Sequence, residues 1–243
     1  DSYLFVPQDR TLFEEYERGW KVTDIFPING VGMTTARDGY VIDYDASEVI
    51  KRARAFRDAE GSDADICKRL GIPLKMGWNV ASARRMIQSE TDLASFVKPI
   101  LYRPFDQRVI FYHDSLVWRT VKHVMRHMLA GKNIALSTTR STEVGDVFSH
   151  VFASRQLLNH HTVSLKEVNY VFPLFTFPSE TGLSFTKVRQ PNLAPAFVAA
   201  VTERIGREPT PEDIFHYIYG VLHAPTYRSR YAEFLKRDFP QIP

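Results

Sequence analysis

The 243-residue sequence contains a single cysteine, Cys67. One cysteine cannot form an internal disulfide framework or a zinc site built on cysteine pairs, and this scarcity is typical of a reducing cytoplasm. The sequence also lacks an apolar run of the roughly 18 residues that a membrane span requires, and no charged-then-apolar leader opens it. We therefore expect a cytoplasmic chain that does not enter a membrane. Because it begins at Asp1 rather than methionine, we expect a fragment of a longer protein.

The familiar catalytic signatures are missing as well. The sequence has no Gly-x-x-x-x-Gly-Lys phosphate loop and no Gly-x-Ser-x-Gly nucleophile elbow. It also lacks the loop of Asn or Asp, two prolines and an aromatic residue that holds a flipped base, and the glycine-rich strand end that holds S-adenosylmethionine. We therefore expect no catalytic residue, no metal ligand and no cofactor in this chain alone.

Charge is unevenly distributed along the chain. The whole sequence carries a formal net charge of +3, whereas residues 101–161 alone carry eight Lys and Arg against four Asp and Glu, together with six of the eight histidines. A local excess of cations is expected on a surface that contacts a phosphate backbone. An excess of this size also occurs on ordinary solvated faces, so it does not decide between the two interpretations.

Three stretches differ in their hydrophobic pattern. Residues 1–97 are mostly helical, with the clearest helices at 46–57 and 79–87 and a short strand at 40–42. Residues 98–190 are rich in short β-branched and aromatic runs, among them residues 147–152, and these runs predict the strands of a sheet. Residues 191–243 return to helical spacing. We predict a single α+β domain with a helical N-terminal support, a central mixed or antiparallel sheet, and a C-terminal helical bundle.

The C-terminal segment carries clear helix signals. Thr210 is a favourable N-cap, Pro211 suits the first turn, and Asp213 occupies the capping-box position. Gly206 is expected to terminate the preceding helix. Apolar residues recur at helical spacing before and after the break at Pro225, which predicts a helical hairpin with an aromatic seam.

A helix over residues 119–129 is the best local candidate for contact with nucleic acid. Arg119, Lys122 and Arg126 follow at i, i+3 and i+7 and would form a cationic stripe. The opposite face is apolar: Val121, Val124, Met125, Met128 and Leu129. Such a stripe suits the phosphates of a duplex, although many amphipathic helices carry similar charges only for solubility.

His123 and His127 lie alongside these cations and form an H-x-x-x-H pair, which can place two imidazoles on one metal ion. A metalloprotease helix would need Glu directly after the first histidine, and Val124 stands there instead. No third ligand is evident. A histidine-containing, metal-dependent nuclease therefore remains an alternative without a complete ligand set.

Loops of the β-rich stretch supply the other candidates. The polar run 137–142 leaves a short apolar strand, and Arg140, Ser141 and Thr142 there offer a guanidinium and two hydroxyls to a base or a phosphate. Arg155 and His160 close the next β segments in a similar way. A hydroxyl-rich turn without any ligand explains the same pattern.

The motif spanning residues 103–108, Arg-Pro-Phe-Asp-Gln-Arg, is first a structural feature. Pro104 ends a strand, Asp106 can bond the amides of its own turn, and Arg103 or Arg108 can form a bidentate pair with that carboxylate. We expect a corner between two strands.

Three segments occur in an informative order: this motif, the run Tyr-Val-Phe-Pro-Leu at 170–174, and the amino-acid sequence of the tail from Thr210 to Gly220. Together they resemble the C-terminal target recognition (specificity) domain of type ISP restriction-modification enzymes and of similar bacterial adenine-specific DNA methyltransferases. The resemblance extends from about Gly30 to the C-terminus.

The resemblance implies that the domain recognises a specific sequence in double-stranded DNA, its partner, and that loops of the sheet contact that DNA. It also implies that a methyltransferase domain lies upstream in the same polypeptide and binds S-adenosylmethionine. DNA contacts would then come from the cations and polar loops: Arg119, Lys122, Arg126, Arg140, Ser141, Thr142, Arg155 and His160. A module that docks through its aromatic tail on the methyltransferase or on another subunit, without touching DNA, remains an alternative.

Overall fold

The computed structural model describes residues 10–143, 147–178 and 188–243. Residues 1–9 of the predicted helical stretch, and residues 144–146 and 179–187 of the predicted β-rich stretch, lie outside the described part. The predicted α+β class is confirmed, because the chain contains mixed and antiparallel sheets whose strands are preceded and followed along the sequence by helices.

Helices and strands alternate irregularly along the chain. The helices are α1 (Arg10–Glu17), α2 (Val22–Ile25), α3 (Asp38–Val41), α4 (Ala46–Arg57), α5 (Asp63–Leu70), α6 (Val80–Gln88), α7 (Lys122–Leu129), α8 (Pro195–Ile205), α9 (Pro211–His223), α10 (Pro225–Arg230) and α11 (Ala232–Leu235), with a 3-10 turn at Leu93–Phe96. The strands are β1 (Trp20–Lys21), β2 (Gly30–Val31), β3 (Ile42–Asp43), β4 (Val97–Arg103), β5 (Asp106–Phe111), β6 (Ala135–Thr139), β7 (Val151–Ser154), β8 (Leu157–Leu158), β9 (Asn169–Pro173), β10 (Phe175–Thr176), β11 (Gln190–Pro191) and β12 (Gln241–Ile242).

The central sheet has the order β2-β9-β6-β7 and is antiparallel throughout. Successive side chains of a strand point to opposite faces. Ala135 and Val171 therefore enter one hydrophobic core, while Leu136 and Phe172 enter the other. Both faces of this sheet are covered, and every residue of β6 is buried.

The first core lies between this sheet, helices α3 to α7 and a second sheet of order β3-β5-β4-β8. In that second sheet β4 pairs antiparallel with β5 and parallel with β8. Helix α4 has the bounds that the sequence predicts, because Asp45 caps its first turn and Val49, Ala53 and Phe56 recur on its buried face.

The second core joins α1 and α2 to the C-terminal helices. The predicted capping box at the start of α9 is present, with Thr210 and Asp213 each bonding the other's backbone amide. Gly206 ends α8 at a φ of 73°, as predicted. Strand β12 pairs with β1, so the end of the chain is fastened to its beginning.

Two predicted strands differ from the structure. Residues 38–41 form a helical turn, because the amides of Tyr40 and Val41 both donate to the Arg37 carbonyl, and strand β3 begins only at Ile42. The strand predicted at 147–152 begins at Val151, after a local bond from its own amide to the Ser149 carbonyl.

Candidate nucleic-acid interface

The predicted helix over residues 119–129 is wrong at its N-terminal end. Helix α7 begins at Lys122, and Val121 before it has a φ of 50°, which interrupts the helical backbone. Arg119 is extended and exchanges two hydrogen bonds with Thr34, whose N–H lies 3.0 Å from the Arg119 oxygen and whose oxygen lies 2.9 Å from the Arg119 nitrogen. Arg119 therefore leaves the helical stripe and stands on a bridge between two loops.

The rest of α7 has the predicted two faces, except that Leu129 of the predicted apolar face is exposed. Val124, Met125 and Met128 are buried against the central sheet, whereas Lys122 and Arg126 are exposed one turn apart. The Lys122 ammonium bonds the Asp114 carboxylate. A guanidinium nitrogen of Arg126 donates to the Phe177 oxygen at 3.1 Å.

His127 does not lie on the cationic face. Its side chain is buried, and its Nδ1 accepts the Phe177 N–H at 3.0 Å. Burial, assisted by the charges of Arg126 and His123, lowers the pKa of His127 to about 4, so the ring is neutral at pH 7. His123 and His127 line one pocket, but Nδ1 of His127 is engaged by the Phe177 amide. Among the described residues no three His, Cys, Asp or Glu side chains gather as a metal site.

His160 lies where two loops cross. Its amide donates to the Met33 oxygen at 2.8 Å, and its Nδ1 lies 3.1 Å from the same oxygen. A carbonyl can only accept, so Nδ1 carries the proton and Nε2 is left as an acceptor. Burial, followed by the neighbouring His161, lowers the pKa of His160. The crossing is so tight that a Cβ on Gly32 would stand 2.5 Å from the Asn159 carbonyl carbon, so only glycine fits there.

The polar run 137–142 is only partly a loop. Its first three residues belong to β6 and are fully buried, and the loop begins at Arg140. Arg140 is exposed and its Nε donates to the Asp238 carboxylate at 2.8 Å. Ser141 is half-buried. Thr142 is buried, with its amide bonded to the Lys236 oxygen at 3.1 Å.

Strand register places seven of the eight candidates at one or the other end of the central sheet. At the Thr139 end, Thr139 pairs with Asn169 of the neighbouring strand. The Asn169 amide donates to the His160 carbonyl, and the Asn169 carbonyl accepts from the Gly32 amide. Two residues after Gly32, Thr34 forms the bridge to Arg119. Arg119, His160 and the 140–142 loop thus share this end.

The opposite end of the sheet holds the remaining arginines. On one side Ala135 pairs with Ser154, and the next residue is the exposed Arg155. On the other side Ala135 pairs with Pro173, and four residues further along the chain Phe177 accepts a hydrogen bond from Arg126. At about 3.3 Å per strand residue, Ala135 and Thr139 at the two ends are roughly 13 Å apart. Lys122 lies between them on α7.

Arg103 also lies at the Thr139 end, although the sequence did not indicate it as a residue that contacts DNA. Leu101 pairs in parallel with Leu158, the last residue of β8, and the turn that follows carries His160, whose pKa is also lowered by the nearby charge of Arg103. The predicted corner is confirmed, but Arg108 alone holds Asp106, through Nε at 3.0 Å and a second nitrogen at 2.7 Å. Arg103 instead stacks on Tyr102, 4.2 Å from the ring centre. Only the long-range pairing of β4 with β8 would have indicated this neighbourhood.

The candidate cations differ in their acidic partners. Lys122 and Arg140 form ion pairs with Asp114 and Asp238. Within the described ranges no ion pair forms at Arg103, Arg119 or Arg155. Guanidinium groups without an acidic partner can bind an anionic ligand without first breaking an ion pair.

The family model of the Type ISP C-terminal specificity domain matches residues 24–243. The chain belongs to this family. The predicted target-recognition role is confirmed at the level of the family, and the exposed cations are therefore those of a specificity domain. No curated protein matches the sequence.

Solved structures share the fold. The cryo-EM structure of the DrdV–DNA complex is 24% identical, with a TM-score of 0.66 over 90% of this chain. A nuclease-deletion mutant of the Type ISP restriction-modification enzyme LlaGI, in complex with a DNA substrate mimic, is 19% identical with a TM-score of 0.63 over 95%. The ATP-dependent Type ISP enzyme LlaBIII bound to DNA is 16% identical with a TM-score of 0.69 over 94%. This specificity domain spans 21%, 18% and 15% of those chains, respectively.

No helix within the described ranges has both the length and the apolar character that are needed to cross a membrane.

Proposed function

We propose that this specificity domain recognises a short site in duplex DNA and that the Thr139 end of the central sheet is its main contact surface. The observation that carries the proposal is that Arg119 and His160 bond to the adjacent residues Thr34 and Met33 at that end, with Arg103 near His160 and no ion pair on either arginine within the described residues. The similar structures contain DNA or a DNA substrate mimic, which supports the same ligand.

The two kinds of contact have different roles. Cations at phosphates supply affinity and its dependence on salt, whereas guanidinium groups at base edges supply sequence preference. Arg119 is held by two backbone bonds to Thr34, so its side chain projects from a fixed main chain. Arg140 is anchored at Asp238 and must exchange that carboxylate for DNA. Lys122, Arg126 and Arg155 extend the cationic surface towards the other end.

The domain would act for a catalytic neighbour. We propose that an upstream methyltransferase domain of the same polypeptide binds S-adenosylmethionine and methylates an adenine at N6, while this chain selects the site. The share of the similar chains that it spans is consistent with further domains in such a protein.

The structure offers less support for the two alternatives. A docking module was expected to use the aromatic tail, but Tyr227 and Tyr231 are buried in the second core and form ring contacts with each other. A metal-dependent nuclease would need a ligand cluster, and the described residues contain none of three or more groups.

Fluorescence anisotropy with random-sequence duplex DNA tests the proposal. The dissociation constant of the unmodified chain should rise steeply between about 50 and 200 mM salt. Arg119→Ala should weaken binding by about tenfold at low salt and reduce the salt slope by about one. Arg119→Lys should restore the slope, because it restores the charge, but not a preference that depends on a bidentate guanidinium.

Arg204→Ala is the matched control, since Arg204 is equally exposed but lies on α8 in the C-terminal helical region. It should leave the affinity within about twofold. Salt-independent binding, or an equal loss for Arg119→Ala and Arg204→Ala, would contradict the proposed surface.

A further inference from the structure

Phe105 combines two unfavourable features at the tip of the β4–β5 hairpin. Arg103 pairs with Asp106, so Pro104 and Phe105 form a two-residue turn. Phe105 has a φ of 63°, in the left-handed region that favours glycine, and its side chain is 91% exposed. A bulky residue in that region is a genuine outlier.

Neither feature serves the stability of the fold. Glycine would adopt this φ without steric conflict, and it would remove an aromatic ring from water. The ring touches Phe152 edge-on, with centroids 5.7 Å apart, but this contact leaves most of its surface in solvent. The other described non-glycine residues with positive φ, Ala36 and Val121, are both partly buried.

The position of the turn relates Phe105 to the proposed DNA surface. The β4 strand that ends at Arg103 runs parallel to β8, which leads to His160, so the hairpin tip and the turn that carries His160 leave the sheet in the same direction. Behind it, Arg103 stacks on Tyr102, and Arg108 lies between Tyr102 and Tyr44, 4.4 and 4.5 Å from their ring centres. Alternating rings and guanidinium groups stiffen the base of the hairpin.

We propose that Phe105 is a wedge that enters a base step of the bound duplex. This inference rests on the proposed function, since it requires DNA at the Thr139 end. Apolar side chains that insert between base pairs unstack them and kink the helix, and the adjacent cations hold the displaced backbone. Arg103 supplies such a cation two residues before the wedge. The strained backbone presents the ring outward, away from the hydrophobic cores.

The test uses this chain and a duplex that it selects from random sequence, resynthesised with 2-aminopurine at one position at a time. Fluorescence of 2-aminopurine rises when the base is unstacked. The unmodified chain should raise it at one step, and Phe105→Leu should retain the effect because leucine is also an apolar wedge. Phe105→Gly should abolish the rise and weaken binding by about tenfold, the order of a lost ring–base stack.

The control variant is Ile205→Ala, which removes another exposed apolar side chain on α8 and should leave the signal unchanged. Binding of the unmodified chain without any unstacked step would overturn the wedge, and so would undiminished unstacking by Phe105→Gly. In both cases the proposed function would stand. Failure of the unmodified chain to bind any duplex would reject the proposed function together with the wedge.

Discussion

Arg140 and Asp238 form an ion pair between the end of β6 and the last residues of the chain, with Nε and Oδ1 2.8 Å apart. The other carboxylate oxygen of Asp238 accepts from the Lys21 ammonium, also at 2.8 Å. Burial raises the pKa of Asp238, but the bonds from Lys21 and Arg140 lower it by more, so the net shift is downward. The Asp238 carboxylate thus holds Arg140, a candidate for base recognition, against the protein.

Neutralising that carboxylate should therefore strengthen DNA binding. We expect Asp238→Asn to lower the dissociation constant for duplex DNA by about twofold to fivefold, the range of an exposed ion pair. Adding Arg140→Ala to Asp238→Asn should cancel the gain. Asp58→Asn, which also removes one charge and releases an arginine, is the control and should have little effect. An equal gain from both single variants would indicate a general charge effect, without a role for Arg140.

The stability of the fold should fall in acid because of His127. Its pKa is lowered from 6.5 to about 4 in the folded chain, so between these values the unfolded state binds more protons. The stabilisation is fully present above about pH 6.5 and is lost as the pH falls towards 4. His127→Asn preserves an acceptor for the Phe177 amide without titrating, and should remove roughly 2 kcal/mol of this pH dependence.

Urea denaturation at a series of pH values measures that effect. Leu129→Gln is the control on the same helix, because Leu129 is exposed and neither side chain titrates. It should leave the pH profile of the free energy of unfolding unchanged. A profile that His127→Asn does not flatten between pH 6.5 and 4 would contradict the assignment.

The capping box of α9 makes a stability prediction. Thr210 accepts the Asp213 amide at 3.1 Å, and Asp213 accepts the Thr210 amide at 3.1 Å. Thr210→Ala should lower the free energy of unfolding by about 1 kcal/mol, whereas Thr210→Ser keeps the acceptor and should cost much less. Equal losses for the two variants in chemical denaturation would show that the hydroxyl contributes nothing.

Substitution of Phe105 should change the free energy of unfolding in the opposite direction. Phe105→Gly should stabilise the free domain by up to about 1 kcal/mol, because it relieves the left-handed backbone. Phe105→Ala removes the ring but retains a Cβ at the same φ, so it should gain less than the glycine variant. A clear loss of stability in Phe105→Gly would mean that the ring supports the hairpin through Phe152.

Local interactions explain why parts of the fold could be predicted. The capping box at Thr210 and the glycine cap at Gly206 depend on residues within one turn of one another, as does the bounded periodicity of α4. The Asp106–Arg108 corner is local too. Sequence patterns contain this information directly, because each partner lies a few residues away.

Long-range partners explain the errors. Arg119 leaves the predicted helix because it pairs with Thr34, and Arg103 joins His160 only through the pairing of β4 with β8. The amphipathic pattern of α7 could not show that Phe177 would bury His127. Surface residues of a specificity domain are placed by such crossings, so the sequence indicated their region but not their grouping.

Selection from a random duplex pool, followed by sequencing of the retained DNA, tests the central claim most directly. The account predicts salt-sensitive retention and enrichment of one short motif, and Arg119→Ala should reduce that enrichment. Retention without any enriched motif would contradict sequence recognition by this chain, and no retention even at low salt would contradict DNA as its ligand.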